Sequence, residues 1–448
     1  MRYLLRITFL IIIMTLTTAT ASADKYSRAW KKVDKLIEED LPESAAKEIN
    51  AIWDMAARDN DGRQMLKSAV YLTRVQQTFS ENTITDGIEL FKTLLPKLYV
   101  HEHQALCHAF LAKGYLRYMQ DKNYLLQRNK ETDLPNPLID KWTIRMITDT
   151  ICHHLDQSVR LAGDVASGYY EEFFPGGNKD GLKLRPQLVD MLLDNALVTL
   201  TSQRFINARR GFLDDSRLYG SAGDFLKAVE DVGPGDPDLW PFYILKRLTQ
   251  NNISSKPSVR ATIDIRRMSL LADYLRSNYA SWNSNYDALV KGDLELAGNY
   301  EKKVKFSTMF YFRAAQIIED YIGSFSEEPD KQVMMQRNAH DICLQAQKKW
   351  PKSEGAIECR RILWEMERST IDLSLERDMV PGERTMVHLS YNNTKTVYLK
   401  VVEVTGRSDW RTDEITMLSE LNRITPVSEW SVRLPDQSDW IKHNTIIF

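Results

Sequence analysis

The chain has 448 residues, of which 43% are apolar and 27% charged, with a formal net charge of −2. That composition belongs to a protein that buries a core, and it excludes a disordered chain. The near-neutral balance removes the long-range electrostatic case for nucleic acid or for an anionic membrane surface.

The first residues read as a targeting segment. Arg2 and Arg6 precede an apolar run, Ile7 to Leu16, and Ala21-Ser22-Ala23 has the small-residue form of a cleavage site. A run of about 10 residues is too short to cross ~30 Å of hydrocarbon as a helix. The pattern predicts a signal peptide over 1–23, cleaved near Ala23. No cysteine stands beside the cleavage site, which argues against a lipid anchor. No later apolar run is long enough for a membrane span. The expected product is soluble and periplasmic or secreted, with chain enough for about two to four domains.

From residue 24 to 367 the apolar residues recur at helical spacing. Ala29, Val33, Leu36 and Ile37 form the first stripe. Ala45, Ile49, Ile52, Trp53 and Ala56 form the second, after Pro42. Met65, Ala69, Leu72 and Val75 form the third, and Ile88, Phe91, Leu94 and Leu95 the fourth. Longer helices are predicted over 101–126 and 138–163. The run Pro175 to Gly181, PGGNKDG, predicts a turn, and a helix follows over 185–202. Residues 220–260 give no clear period around Gly233-Pro234-Gly235-Asp236-Pro237. Helices are expected again over 261–280, 305–322, 329–349 and 354–367. Successive helix pairs at a pitch of about 30–40 residues suggest a mainly α protein, an α-solenoid of TPR-like pairs. The ten tryptophans, spread along these helices, read as core anchors.

Near residue 368 the period changes from helical to the alternation of strands. Ile371, Leu373 and Leu375 alternate with polar residues, and Pro381-Gly382 marks a turn. Strands are predicted over 386–391 and 396–404, joined by Asn392-Asn393, and over 427–434, with a further candidate at 444–448. The polar stretch 409–424 reads as a helix or an irregular insertion. A sandwich of this kind uses about seven strands. Residues 368–448 therefore read as a small, incomplete β-sandwich.

The densest polar feature joins His101, His103, Cys107 and His108 to Cys152, His153 and His154. His103 and Cys107 are four residues apart and share a helix face. Cys107 and Cys152 lie equally far from a loop near residue 130, so an antiparallel pair would bring them face to face. Three readings stay open: a zinc site of His103, Cys107, Cys152 and His153, a Cys107–Cys152 disulfide, or buried thiols beside solvated histidines. Cys343 and Cys359 flank Pro351 in the same way, as a second disulfide candidate or a reduced pair. The metalloprotease signature fails, because Ala105 stands where its second histidine belongs. Gly220-Ser221-Ala222-Gly223 has the wrong spacing for a nucleophile elbow. No phosphate loop or dinucleotide fingerprint occurs, so no cofactor and no catalytic residue is assigned. Glu171-Glu172-Phe173-Phe174 reads as a helix end rather than a carboxylate pair.

Three stretches carry a family resemblance: LPESAAKEINAIWDMAARDNDGRQMLKSAVYLTRV (41–75), FFPGGNKDGLKLRPQLVDMLLDNAL (173–197), and WPKSEGAIECRRILWEME (350–367) with the strands that follow it. In order and spacing they resemble the N-terminal region of alpha-2-macroglobulin-like proteins of Bacteroidetes. The resemblance implies an exported helical region ahead of macroglobulin-type β-sandwich domains, in a protein that traps proteases through a thioester. That thioester needs a Cys-x-Glu-Gln run. Here the four cysteines are followed by His108, His153, Leu344 and Arg360, so no functional residue of the family carries over. The expected function is a non-enzymatic, exported scaffold of a protease-inhibitor protein, its partners being downstream macroglobulin-type domains or proteases. The rival reading is a free-standing periplasmic TPR-like module that binds a peptide or glycan.

Overall fold

The computed structural model describes residues 25–79, 83–130, 138–173, 179–201, 211–277, 279–325, 327–375, 385–403, 414–435 and 439–447. The targeting segment 1–23 and the turn at Pro381-Gly382 lie outside the described residues. The protein is mainly helical, with a small antiparallel sheet region near its C-terminus. It divides into two compact units, one comprising residues up to Leu218 with Ala222–Asn278, the other Tyr219–Ser221 with Tyr279–Phe448. Among the described residues no helix is long and apolar enough to cross a membrane.

The first unit opens with α1 (25–38), α2 (Pro42–Arg58), α3 (Gly62–Gln76) and α4 (Thr83–Leu94). On α2, α3 and α4 the buried faces follow the predicted stripes, for example Ala45, Ile49, Ile52 and Ala56 on α2, whereas α1 buries Tyr26, Trp30 and Val33 and leaves Ile37 of its predicted stripe exposed. Short polar turns separate them. Asp40 and Asn60 adopt left-handed backbone, φ 56 and φ 52, which closes α1 and α2. The Asp61 amide then donates to Ala56 O (2.9 Å), and the Asp61 side chain accepts from the Gln64 amide (3.1 Å), capping α3. Next come α5 (His101–Asp121), α6 (Asn123–Arg128) and α7 (Ile144–Leu161). α5 packs closely on α7, and it also touches α3, α4 and α9 (Leu188–Thr201), so it is buried on most sides. The short α8 (Lys179–Leu184) takes up Lys179, Asp180 and Gly181, which the sequence places in a turn. α10 (Ala222–Ala228), α11 (Trp240–Asn251) and α12 (Pro257–Ser277) complete the unit.

The second unit holds α13 (Tyr279–Tyr300), α14 (Ser307–Ile322), α15 (Pro329–Lys349) and α16 (Glu354–Glu367). α13 occupies a stretch for which the sequence predicts no helix. Its Ser284 and Asn285 favour turns locally, but burial of Asn285, Leu289, Asp293 and Leu296 overrides that preference. α14 is central, packing on α13, α15 and α16. Its contact with α16 brings backbone against backbone at Gly355. A Cβ on Gly355 would stand 2.3 Å from the Thr308 carbonyl carbon and 2.5 Å from the Met309 nitrogen. Beside it, the buried hydroxyls of Thr308 and Ser353 are 2.8 Å apart.

The strands follow as β1 (Thr370–Leu375), β2 (Val387–Asn392), β3 (Thr396–Val401), β4 (Ser428–Arg433) and β5 (His443–Ile447), with α17 (Glu414–Leu421) between β3 and β4. They form two antiparallel sheets, ordered β1-β2-β5 and β3-β4. A small core of Leu389, Tyr391, Val397 and Leu434 joins them, flanked by Leu399 and Val432. The tryptophans do not all anchor cores. Trp30 and Trp240 are buried, whereas Trp350, Trp364 and Trp430 are exposed.

The Gly355 contact yields a direct expectation. Alanine there must push α16 away from α14, since the opposing atoms are backbone and cannot rotate aside. Gly355→Ala should cost about 3 kcal/mol or more by overpacking. Urea unfolding of the purified variant checks it, and an unchanged midpoint would refute the close approach.

Candidate functional site

The histidines and cysteines of α5 and α7 are brought to one region, but not in the predicted combination. The buried Cys107 thiol donates to Phe91 O on α4 at 3.4 Å. Burial pushes it up to about 12, and burial, with Asp149 adding, does the same for Cys152. Both are free thiols, as are Cys343 and Cys359. The second pair does meet. A hydrogen bond from Cys359, with burial next, pushes the Cys343 thiol far up. His103 lies edge-on to Tyr170, ring centroids 6.0 Å apart, and its Nδ1 is buried without a partner. Among the described residues no group of three or more His, Cys, Asp or Glu is gathered as a metal site.

The histidine pair that forms is His108 with His154, Nδ1 to Nδ1 at 2.8 Å. One ring must donate and the other accept, so this bond requires at least one neutral imidazole. His153 stands edge-on to both. Tyr115 is stacked between His154 (5.6 Å) and Trp142 (5.8 Å). Sequence spacing could have shown part of this, because His108 and Tyr115 are seven residues apart on one helix face. The placement of His154 depends on how α7 rotates against α5, which no local pattern states.

Glu172, in the stretch read as a helix end, does lie near the end of a short 3-10 helix (Ser167–Phe173), and there it acts as a clasp. It lies 2.8 Å from Arg63 and 2.9 Å from Lys67. Burial raises its pKa, but the bonds from Lys67 and Arg63 outweigh that and lower it.

Two surfaces have the character of binding sites. The first is a groove of about 280 Å³ between α3, α4 and α5. Phe91 and Phe110, stacked at 5.4 Å, help to floor it, and Arg74, Lys113 and Arg117 stand exposed at its rim. An apolar floor under three cations suits an apolar segment that carries negative charge.

The second surface is on the sheets. Register places Ile371, Leu373 and Leu375 of β1 opposite Tyr391, Leu389 and Val387, so all six share one face. Leu389 and Tyr391 are covered by the β3-β4 sheet, but Ile371, Leu373 and Leu375 are 48%, 47% and 58% exposed. Val401, Val427 and Trp430 are likewise exposed in or beside the second sheet.

The histidine pair has a pH signature. Burial, reinforced by the neighbouring histidines, depresses His108 to about 4 and His154 to about 3. The unfolded chain takes up these protons near pH ~6.5, and the folded one does so well below. The pair's contribution is therefore complete above pH ~6.5 and is lost as pH falls toward the folded values, at roughly 1.4 kcal/mol per pH unit for each histidine. Urea unfolding at pH 7 and pH 5 should show this loss, with a smaller loss in His154→Phe. Equal pH slopes in the two proteins would contradict the assignment.

No family model and no curated protein matches the chain.

Proposed function

We propose that this protein works by binding other proteins rather than by catalysis, as an exported scaffold of the alpha-2-macroglobulin-like kind. Its helices would form TPR-like pairs in a solenoid, and its two sheets would belong to a macroglobulin-type sandwich. The observation that carries the reading is the apolar face of β1. Three alternating aliphatic residues there face the same side as a core, yet lie open to water. Burial contributes ~25 cal/mol per Å², so such a face gains most when another protein surface covers it. Among the described residues β1 pairs only with β2 and so stands at an edge of its sheet, the kind of strand that can take a partner strand. The basic groove of the first unit fits this role, as a second place where a partner segment can lie.

The test separates a docking face from a hidden core. In the triple variant Ile371→Thr, Leu373→Thr, Leu375→Thr, the thermal midpoint should move by no more than about 2 °C, because exposed positions contribute little to folding. Binding of a hydrophobic-surface dye to the mature chain should fall sharply in the same variant. A loss of stability on the scale of core substitutions, about 2 kcal/mol or more per residue, would show the face to be covered and would end this reading.

A further inference from the structure

Two thiols of the second unit meet across a helix pair. Cys343 and Cys359 stand eight residues before and eight residues after Pro351, at the turn that joins α15 to α16. The two helices pack closely, and further along His340 Nε2 lies 2.8 Å from Glu367 Oε1, tying one to the other. Both cysteines are 0% exposed, on the buried faces that also carry Ala339, Ile342 and Ala346 of α15 and Ala356, Leu363 and Met366 of α16. The Cys359 thiol hydrogen-bonds Cys343. Such a bond is weak, since a thiol is a poor donor and a poor acceptor. The other two cysteines are engaged differently. Cys107 donates to Phe91 O at 3.4 Å, and Cys152 has Asp149 as its charged neighbour.

A contact of this kind is the geometry from which a disulfide forms. The sulfurs need only lose their protons and close to a bond of ~2.05 Å, with the helix backbones already held side by side. Once the helices are docked this step is blocked, because the attacking species in thiol–disulfide exchange is a thiolate. The Cys359 contact, and then burial, hold the Cys343 thiol far above its ordinary range, and Glu319 adds to this. Neither sulfur is open to a reagent from solvent. The bond is therefore made while α15 and α16 are docking, before water is excluded. The short separation favours this, since closing a short loop costs less chain entropy than closing a long one.

We propose that Cys343 and Cys359 are a disulfide site, oxidised by an organic disulfide as the second unit folds, and that the bond staples α15 to α16. One cysteine thiolate attacks a sulfur of the oxidant RSSR, forming a mixed disulfide and releasing one RS⁻. The second thiolate attacks the cysteine sulfur of that mixed disulfide, forming the Cys343–Cys359 bond and releasing the second RS⁻. The two thiol protons end on the two RS⁻ groups. The cysteine pair loses two electrons, and RSSR gains them. The oxidising surroundings rest on the export reading, whereas the pairing rests on the contact itself. The staple bears on the sheets as well. α16 leads directly into β1, and Met366 O near its end accepts from Asn392 Nδ2 at 3.3 Å and from Asn393 Nδ2 at 2.6 Å.

Refolding tests the pairing. The purified protein is unfolded in urea with reductant, desalted, and refolded in millimolar oxidised and reduced glutathione. After an acid quench, free thiols are alkylated in denaturant and the protein is digested with trypsin, which cuts between the two cysteines at Lys348, Lys349 and Lys352. Mass spectrometry should find the peptide Asn338–Lys348 joined to Ser353–Arg360 in most molecules, with Cys107 and Cys152 alkylated. The bridged protein should unfold at a higher urea concentration than the same protein reduced, and Cys359→Ala should show no such response to reductant. The mapping uses the natural chain, so it decides the matter even if that variant fails to fold. Four alkylated cysteines, glutathione retained on Cys343 or Cys359, a Cys107–Cys152 bridge at equal yield, or one urea midpoint for both forms would overturn the proposal. A bond that forms in glutathione, in a protein found reduced when alkylated directly in its cells, would support the pairing and count against export.

Discussion

Cover is the constraint on which this molecule depends. A single helix of ordinary length is marginal in water, so each helix must press an apolar stripe against its neighbours. In the first unit α5 satisfies this most fully, with Ala105, Leu106, Ala109, Leu111, Ala112 and Leu116 all buried. In the second unit α14 has that place, and Gly355 sets how closely α16 can approach it. The strands face the same demand and meet it only in part. Leu389 is fully buried, while Leu373, its partner across the ladder, is 47% exposed.

Buried polar groups obey a related rule, and the exceptions are informative. Arg267 is wholly buried, yet its guanidinium reaches Leu218 O at 2.6 Å and Asp264 at 3.0 Å. Asn252 donates to Asp190 at 2.7 Å within the same unit. Such groups are compensated, and removing one partner would strand the other. Against that background several buried atoms have no hydrogen-bond partner among the described residues, among them Ser68 Oγ, Thr249 Oγ1, Glu319 Oε1 and Asn392 Oδ1.

Much of the fold was legible in the sequence because helices and strands carry different periods. Helices 329–349 and 354–367 fall where Pro351 and the apolar stripes place them, and the alternation of Ile371, Leu373 and Leu375 marks β1. α13 was not legible, since its Ser and Asn residues read locally as a turn and only tertiary burial makes them helical. The sites were less legible still. Spacing pointed to Cys343 and Cys359 as neighbours, but it could not state that His108 would choose His154, across an interface between helices. Nor could it show the cleft of about 430 Å³ in the second unit, whose wall draws on Glu319, Asn392 and Trp440, residues more than 100 positions apart in the chain at its extremes.

The uncovered β1 face is tested most directly by hydrogen exchange on the isolated, unbound protein, comparing the amides of 370–375 with those of α14 and α16. An edge strand whose apolar side chains lie in water opens locally, at a free energy well below that of a packed helix. Amides of β1 should exchange roughly a hundredfold or more faster than those in the middle of α14. Equal protection in the strand and the helices would mean that the sheet is fully covered, and the docking face would not exist.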